Sequence, residues 1–126
     1  MRAIVSMVVL LLALIVGCGC DDGRREHAAA MTGGGDPDRG KQAIGQYGCS
    51  SCHTIPGVRG ADALVGPSLD RVGGRMYIGG VLQNTPDNMM RWLENPPGVD
   101  PMTAMPNMHV SDADARDIAS YLYTLD

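Results

Sequence analysis

The sequence predicts an all-α domain of three to four short helices folded around a cofactor, and three observations predict it. Three helix starts bring their own caps, at Asp36-Pro37, at Thr85-Pro86 and at Ser111 with Asp114 three residues on. The last of them opens on a single apolar stripe of helical period, Ala115, Ile118, Ala119, Leu122 and Leu125. Between the first two lies Cys49-Ser50-Ser51-Cys52-His53, the spacing of covalent c-type haem attachment. Two thiols on one short turn can add across the two vinyl groups of a porphyrin, and the imidazole that follows sits under the metal.

Other chemistries use parts of that motif. C-x-x-C serves as a redox pair in thioredoxin-like folds, which need a βαβ context that this chain does not offer. It is also half of a zinc site, yet no second C-x-x-C or H-x-x-x-H completes four ligands. A Cys49–Cys52 disulfide suits an exported protein and leaves His53 without a role. Haem c accounts for all five residues. Composition agrees with it: 126 residues without one phenylalanine, with 4 % aromatics and 17 glycines, build a thin core that a flat apolar macrocycle would fill.

In chain order, Arg2 followed by the apolar run Ala3 to Val16 reads as a signal peptide over residues 1–17, too short for the about 20 residues of a spanning helix. The run ends in Leu14-Ile15-Val16-Gly17-Cys18, which resembles a bacterial lipobox and makes Cys18 the expected lipidation site. An uncleaved anchor and a simple cleaved signal remain open, and Cys20 has no assigned role. Residues 18–35, poor in large apolar side chains and closing on Thr32-Gly33-Gly34-Gly35, read as a flexible tether. The folded domain is expected over 36–126.

Asp36-Pro37 starts a helix over 37–47, with Gly40 and Ile44 on one face. Between Thr54 and Gly80 neither a helical nor a strand period is sustained, so something other than secondary structure must order the segment. Within it, Val65-Gly66-Pro67-Ser68-Leu69 lies where a carbonyl could take the second N–H of an iron-bound imidazole. The helix begun at Thr85 carries Met89, Met90, Trp92 and Leu93 and stops before Pro96-Pro97; its methionines read as packing. The loop before the last helix holds Met102, Met105, Met108 and His109. Met105, stiffened by Pro106, is the first choice for a second axial ligand, which would raise the iron potential; the other three are its competitors.

Without residues 1–17 the chain has 9 basic and 14 acidic residues, a formal balance of −5 before any haem propionates. Nucleic acid is excluded as a partner on that charge. Lys41 is the only lysine, which argues against docking through a lysine-rich face and for a basic or apolar partner surface.

From Asp36 to Asp126 the chain resembles a class I cytochrome c. The residues that carry the resemblance are Gly40, Ile44, Cys49 to Thr54, Gly66 to Leu69, Arg91 to Pro96, Ala104-Met105-Pro106 and Ile118 to Leu122. The stretch Gly73 to Pro106 is similar to the cytochrome domain fused to subunit II of bacterial caa3-type terminal oxidases, without that subunit's cysteine-rich copper motif. The resemblance implies the cytochrome c fold, with first and last helices crossing so that Gly40 and Ile44 meet Ile118 and Tyr121. It implies one covalent haem c on Cys49 and Cys52, His53 and Met105 as axial ligands, the Pro67 carbonyl on His53, and Arg75 and Trp92 at a propionate. The expected function is one-electron transfer, not enzymatic catalysis, on the outer or periplasmic face of a bacterial membrane, for a respiratory oxidase or quinol-oxidising complex, with no small-molecule substrate. The rival class is a haem enzyme or gas sensor with an open sixth position, for which His109 and Arg75 are the only distal groups on offer; a structural subunit is the third.

Overall fold

The computed structural model describes residues 19–126. The expected signal peptide and the Cys18 lipidation site lie outside the described residues, as does the side chain of Cys20. Helix α1 spans Gly19–Met31, α2 Pro37–Gln46, α3 Pro86–Glu94, α4 Pro96–Val99 and α5 Asp112–Tyr123. Single 3-10 turns occur at Cys49–Ser51 and Val72–Gly74, and a two-residue hairpin pairs β1 (Tyr77–Ile78) with β2 (Leu82–Gln83), Ile78 opposite Leu82.

Each predicted start is capped as its sequence dictates. The Asp36 carboxylate accepts from the N–H groups of Asp38 (2.8 Å) and Arg39 (3.2 Å), and Pro37 fills the first position of α2. Thr85 caps Asn88 at 3.3 Å. Ser111 Oγ accepts from Asp114 N, and its own hydroxyl, with that of Tyr47, donates to Asp114 Oδ2 at 2.7 Å. Aspartate, one methylene shorter than glutamate, thus takes the Ser111 hydroxyl where a capping box would take the backbone N–H. These two hydroxyls hold the Asp114 carboxyl below its ordinary range.

Helices α2 and α5 form the principal packing pair. They cross so closely at Gly40 that a methyl group there would collide with the Asp117 carbonyl. Ile44 and Ile118 are fully buried beside that crossing. Tyr121 is buried in the same core, and its hydroxyl donates to Pro56 O at 2.6 Å and pins the loop that follows the cysteine motif. That loop also has bonds of its own, an isolated bridge between Thr54 and Asp62 and Ile55 N–H to Ala61 O at 2.9 Å.

The stretch expected to be a flexible tether is helical through Met31 and docked. Arg24 to Ala30 are good helix formers, and Asp21 and Asp22 sit favourably at the N-terminal end of the dipole. The glycines that read as a linker form the helix stop: Gly34 N–H bonds Ala29 O (2.8 Å) and Gly33 N–H bonds Ala30 O (3.2 Å), with Gly33 at φ 70°. This is a Schellman cap. Ala28 is 0 % exposed, α1 packs on α5, and Ser120 Oγ donates to Gly35 O at 3.1 Å. The packed unit therefore begins before residue 36. Among the described residues no helix is long and apolar enough to cross a membrane.

Candidate functional site

Gly48, at φ 71°, turns the chain out of α2 into the 3-10 turn that holds the cysteines. His53 N–H and Cys52 N–H both bond Cys49 O, at 3.0 and 3.2 Å, which fixes the two thiols and the imidazole on one tight bend. Both cysteines are free and half-buried, and burial pushes the Cys49 thiol up, keeping it protonated. The bend opens on a cavity of about 400 Å³, within the range of cofactor sites.

Seven residues singled out in the sequence line this one cavity: Cys49, Cys52, His53, Pro67, Arg75, Trp92 and Met105. Between them the wall is apolar, with Ile44, Ile55, Leu69, Val72, Ile78, Leu93, Ile118 and Leu122. His53 Nδ1 lies 2.7 Å from Pro67 O. A carbonyl only accepts, so Nδ1 carries the proton and Nε2 keeps a free lone pair. Gly66 makes that approach possible: a Cβ at this position would stand 2.5 Å from His53 Cε1, and Gly66 N–H bonds Cys52 O at 2.7 Å.

Met105, on the same cavity, is half-buried, with its N–H on Thr103 Oγ1 at 3.2 Å. Its competitors lie elsewhere. Met102 is 89 % exposed, and neither it, Met108 nor His109 lines the cavity. Trp92 is 8 % exposed and lays its ring edge on Gly79, where a Cβ would come within 2.6 Å of Cη2. Arg75 Nη2 donates to two carbonyls, Ser68 O (2.6 Å) and Asp70 O (2.7 Å).

The donor set is one imidazole, one thioether, two thiols on a turn and two N–H-bearing groups, all lining one apolar slot. It fits a flat apolar macrocycle with a metal at its centre and carboxylates at its edge. The cytochrome c family model matches residues 37–126. The chain belongs to the cytochrome c family. A cytochrome c domain binds haem c covalently and transfers electrons through it.

Among its relatives are proteins named cytochrome c oxidase subunit 2. That of Alkalihalophilus pseudofirmus is 30 % identical over 91 residues, which cover 70 % of this chain and 25 % of the relative. Those of Bacillus sp. strain PS3 and Bacillus subtilis are each 28 % identical, covering 67 % and 68 % of this cytochrome c and 25 % and 24 % of the relatives. The chain thus spans about a quarter of the length of the curated relatives it matches. No solved structure matches it.

Sequence reasoning missed residues that build the site without touching its centre. Asn84 gives its two amide hydrogens to Val72 O (3.0 Å) and Arg75 O (2.8 Å) and accepts from Tyr123 Oη (2.7 Å). Asp117, buried in α5, accepts from Asp36 N (2.7 Å) and from Arg39 Nε (2.7 Å) and Nη2 (3.1 Å), and so ties the start of α2 across the crossing. Nothing in the spacing of either residue signals these bonds.

Proposed function

We propose that this cytochrome c domain is a one-electron carrier with His/Met ligation. Cys49 and Cys52 would anchor the haem, and His53 Nε2 and the Met105 thioether would supply the two protein ligands to its iron. Trp92 N–H, and the Arg75 nitrogens not bound to Ser68 and Asp70, hold the propionate edge. The observation that carries this reading is the convergence of all these residues on one apolar cavity, with the Pro67 carbonyl holding His53 in the tautomer that frees Nε2. When bound, the haem supplies one reversible electron at its iron. The chain contributes a soft neutral sulfur and a slot lined by aliphatic side chains, both of which favour the reduced form.

We place the protein outside the cytoplasmic membrane, held there by a lipid on Cys18, and assign it to a respiratory oxidase as redox partner. The supports are the leader and lipobox-like residues of the sequence and relatives named for an oxidase subunit. The test is spectroscopic. The oxidised protein is expected to show a sulfur-to-iron charge-transfer band that Met105→Ala abolishes and Met102→Ala and Met108→Ala leave in place. Loss of the band in either of the latter two moves the ligand, and rapid carbon monoxide binding to the ferrous wild type would instead indicate an open sixth position.

A further inference from the structure

We infer that Asn84 and Tyr123 are positioning residues for the His53 ligand, acting through Arg75 and the loop that carries Pro67. The inference rests on His53 being the iron ligand and extends that reading to residues that never meet the cofactor's centre.

The connection is a continuous run of hydrogen bonds. His53 Nδ1 donates to Pro67 O at 2.7 Å. The two carbonyls beyond Pro67 on the same loop, Ser68 O and Asp70 O, are both gripped by Arg75 Nη2, at 2.6 and 2.7 Å. Arg75 is itself held at its backbone, where its carbonyl takes one Asn84 Nδ2 hydrogen at 2.8 Å while Val72 O takes the other at 3.0 Å. Two carbonyls can only accept, so the amide orientation of Asn84 is fixed and its oxygen faces the opposite way. There it accepts from Tyr123 Oη at 2.7 Å. Tyr123 belongs to α5, the helix that crosses α2 and is the most buried element of the fold. Burial raises its hydroxyl to about 12, so it stays a donor throughout the working range.

The loop is tied to the haem-binding motif on both sides of Pro67, by Gly66 N–H to Cys52 O and Leu69 N–H to Thr54 O, and Arg75 adds a third tie from the side of α5. Ser68 and Asp70 are exposed and flank the half-buried Leu69, and Arg75 holds the carbonyls on either side of it. With Arg75 as a strut and Asn84 as its foot, the Pro67 carbonyl is referenced to α5. Hydrogen bonds of this outer layer set ring orientation and ligand basicity. Arg75 therefore has a structural task distinct from any contact with a propionate.

The experiment uses the haem-loaded protein and follows the His53 Nδ1 proton by NMR in the ferrous state, together with the midpoint potential. Asn84→Leu keeps the volume and removes both donors and the acceptor; Tyr123→Phe removes one hydroxyl and keeps the ring, so it reports even where Asn84→Leu does not fold. Both are expected to speed exchange of that proton, by roughly tenfold, the size of one lost buried hydrogen bond, with a measurable change in potential. Ser111→Ala, which uncaps α5 at the end remote from the loop, is expected to lower thermal stability and leave the proton unchanged. Unaltered exchange and potential in the Asn84 and Tyr123 variants, or an equal effect in Ser111→Ala, overturns the inference alone. A wild-type protein lacking an iron-bound histidine overturns the ligation reading, and this inference with it.

Discussion

Asp117 shows how a single residue can be essential to the architecture and silent in the sequence. It stands one position before Ile118 of the apolar stripe, and nothing in helical spacing distinguishes it from a solvated acid. Folding buries it against the first turn of α2, where it accepts three hydrogen bonds. Arg39 holds its carboxyl below the ordinary range, with help from the Asp36 N–H and against the opposing effect of burial. A carboxyl whose folded pKa is depressed adds stability that is fully present above its unfolded value, about 3.9 for Asp, and is lost as pH falls through the lower folded value. Stability is therefore expected to fall on acidification below about pH 4, and Asp117→Asn to flatten that slope while lowering stability at pH 7. Urea midpoints between neutral and acid pH read this out, and parallel slopes for the two proteins would count against it. Asp114, depressed by the Tyr47 and Ser111 hydroxyls, adds a slope of the same sign that the variant retains. Cys49, Cys52 and His53 could be singled out because type and spacing make them a motif, whereas spacing alone did not choose Met105 among the loop methionines; all four line one cavity. Asp117 and Asn84 were not legible, because their partners lie 78 and 39 residues away, at Arg39 and Tyr123.

At the scale of elements, sequence legibility followed the caps. Asp36-Pro37, Thr85-Pro86 and Ser111 each opened a helix where their side chains can satisfy free N–H groups, because capping is local chemistry. Helix α1 escaped for a related reason: a glycine run is compatible both with a flexible linker and with a helix stop, and only the tertiary packing chooses. Here Ala28 is fully buried and α1 packs on α5, while Arg25 pairs with Asp38 across the turn and Arg24 with Asp126 beyond α5. The helix is about 20 Å long at 1.5 Å per residue, so a lipid at Cys18 would connect to the domain through a rigid arm. Hydrogen exchange tests the arm. The amides of Thr32 and Gly34, bonded to Ala28 O and Ala29 O, are expected to exchange at least roughly a hundredfold slower than in an unstructured chain, and Ala28→Glu to erase that protection by charging a buried position. Unprotected amides in the wild type would restore the flexible tether.

The whole molecule is built around a hollow. Ile44, Ile55, Met89, Leu93, Ile118 and Leu122 belong to the buried core and also line the cavity, so the largest apolar side chains face a space of about 400 Å³. The shortage of aromatic residues becomes intelligible in this light, since no phenylalanine and a single tryptophan are available to fill it. The slot is open to solvent, so without a macrocycle its aliphatic walls face water and lose the contacts that a macrocycle would give them. A domain of this length has about 5–15 kcal/mol in total, so the fold without its macrocycle has little or no margin. Collapse of the walls recovers part of the loss and gives up the α2–α5 crossing geometry in exchange, because Gly40 already holds the two backbones in contact. The chain carrying Cys49→Ser and Cys52→Ser, which cannot attach haem, is therefore expected to keep some helix by far-UV circular dichroism while losing the near-UV signal of Trp92 and any cooperative thermal transition. A cooperative melt with a native near-UV spectrum in that variant would show that the polypeptide packs itself, and that the haem enters a site already formed.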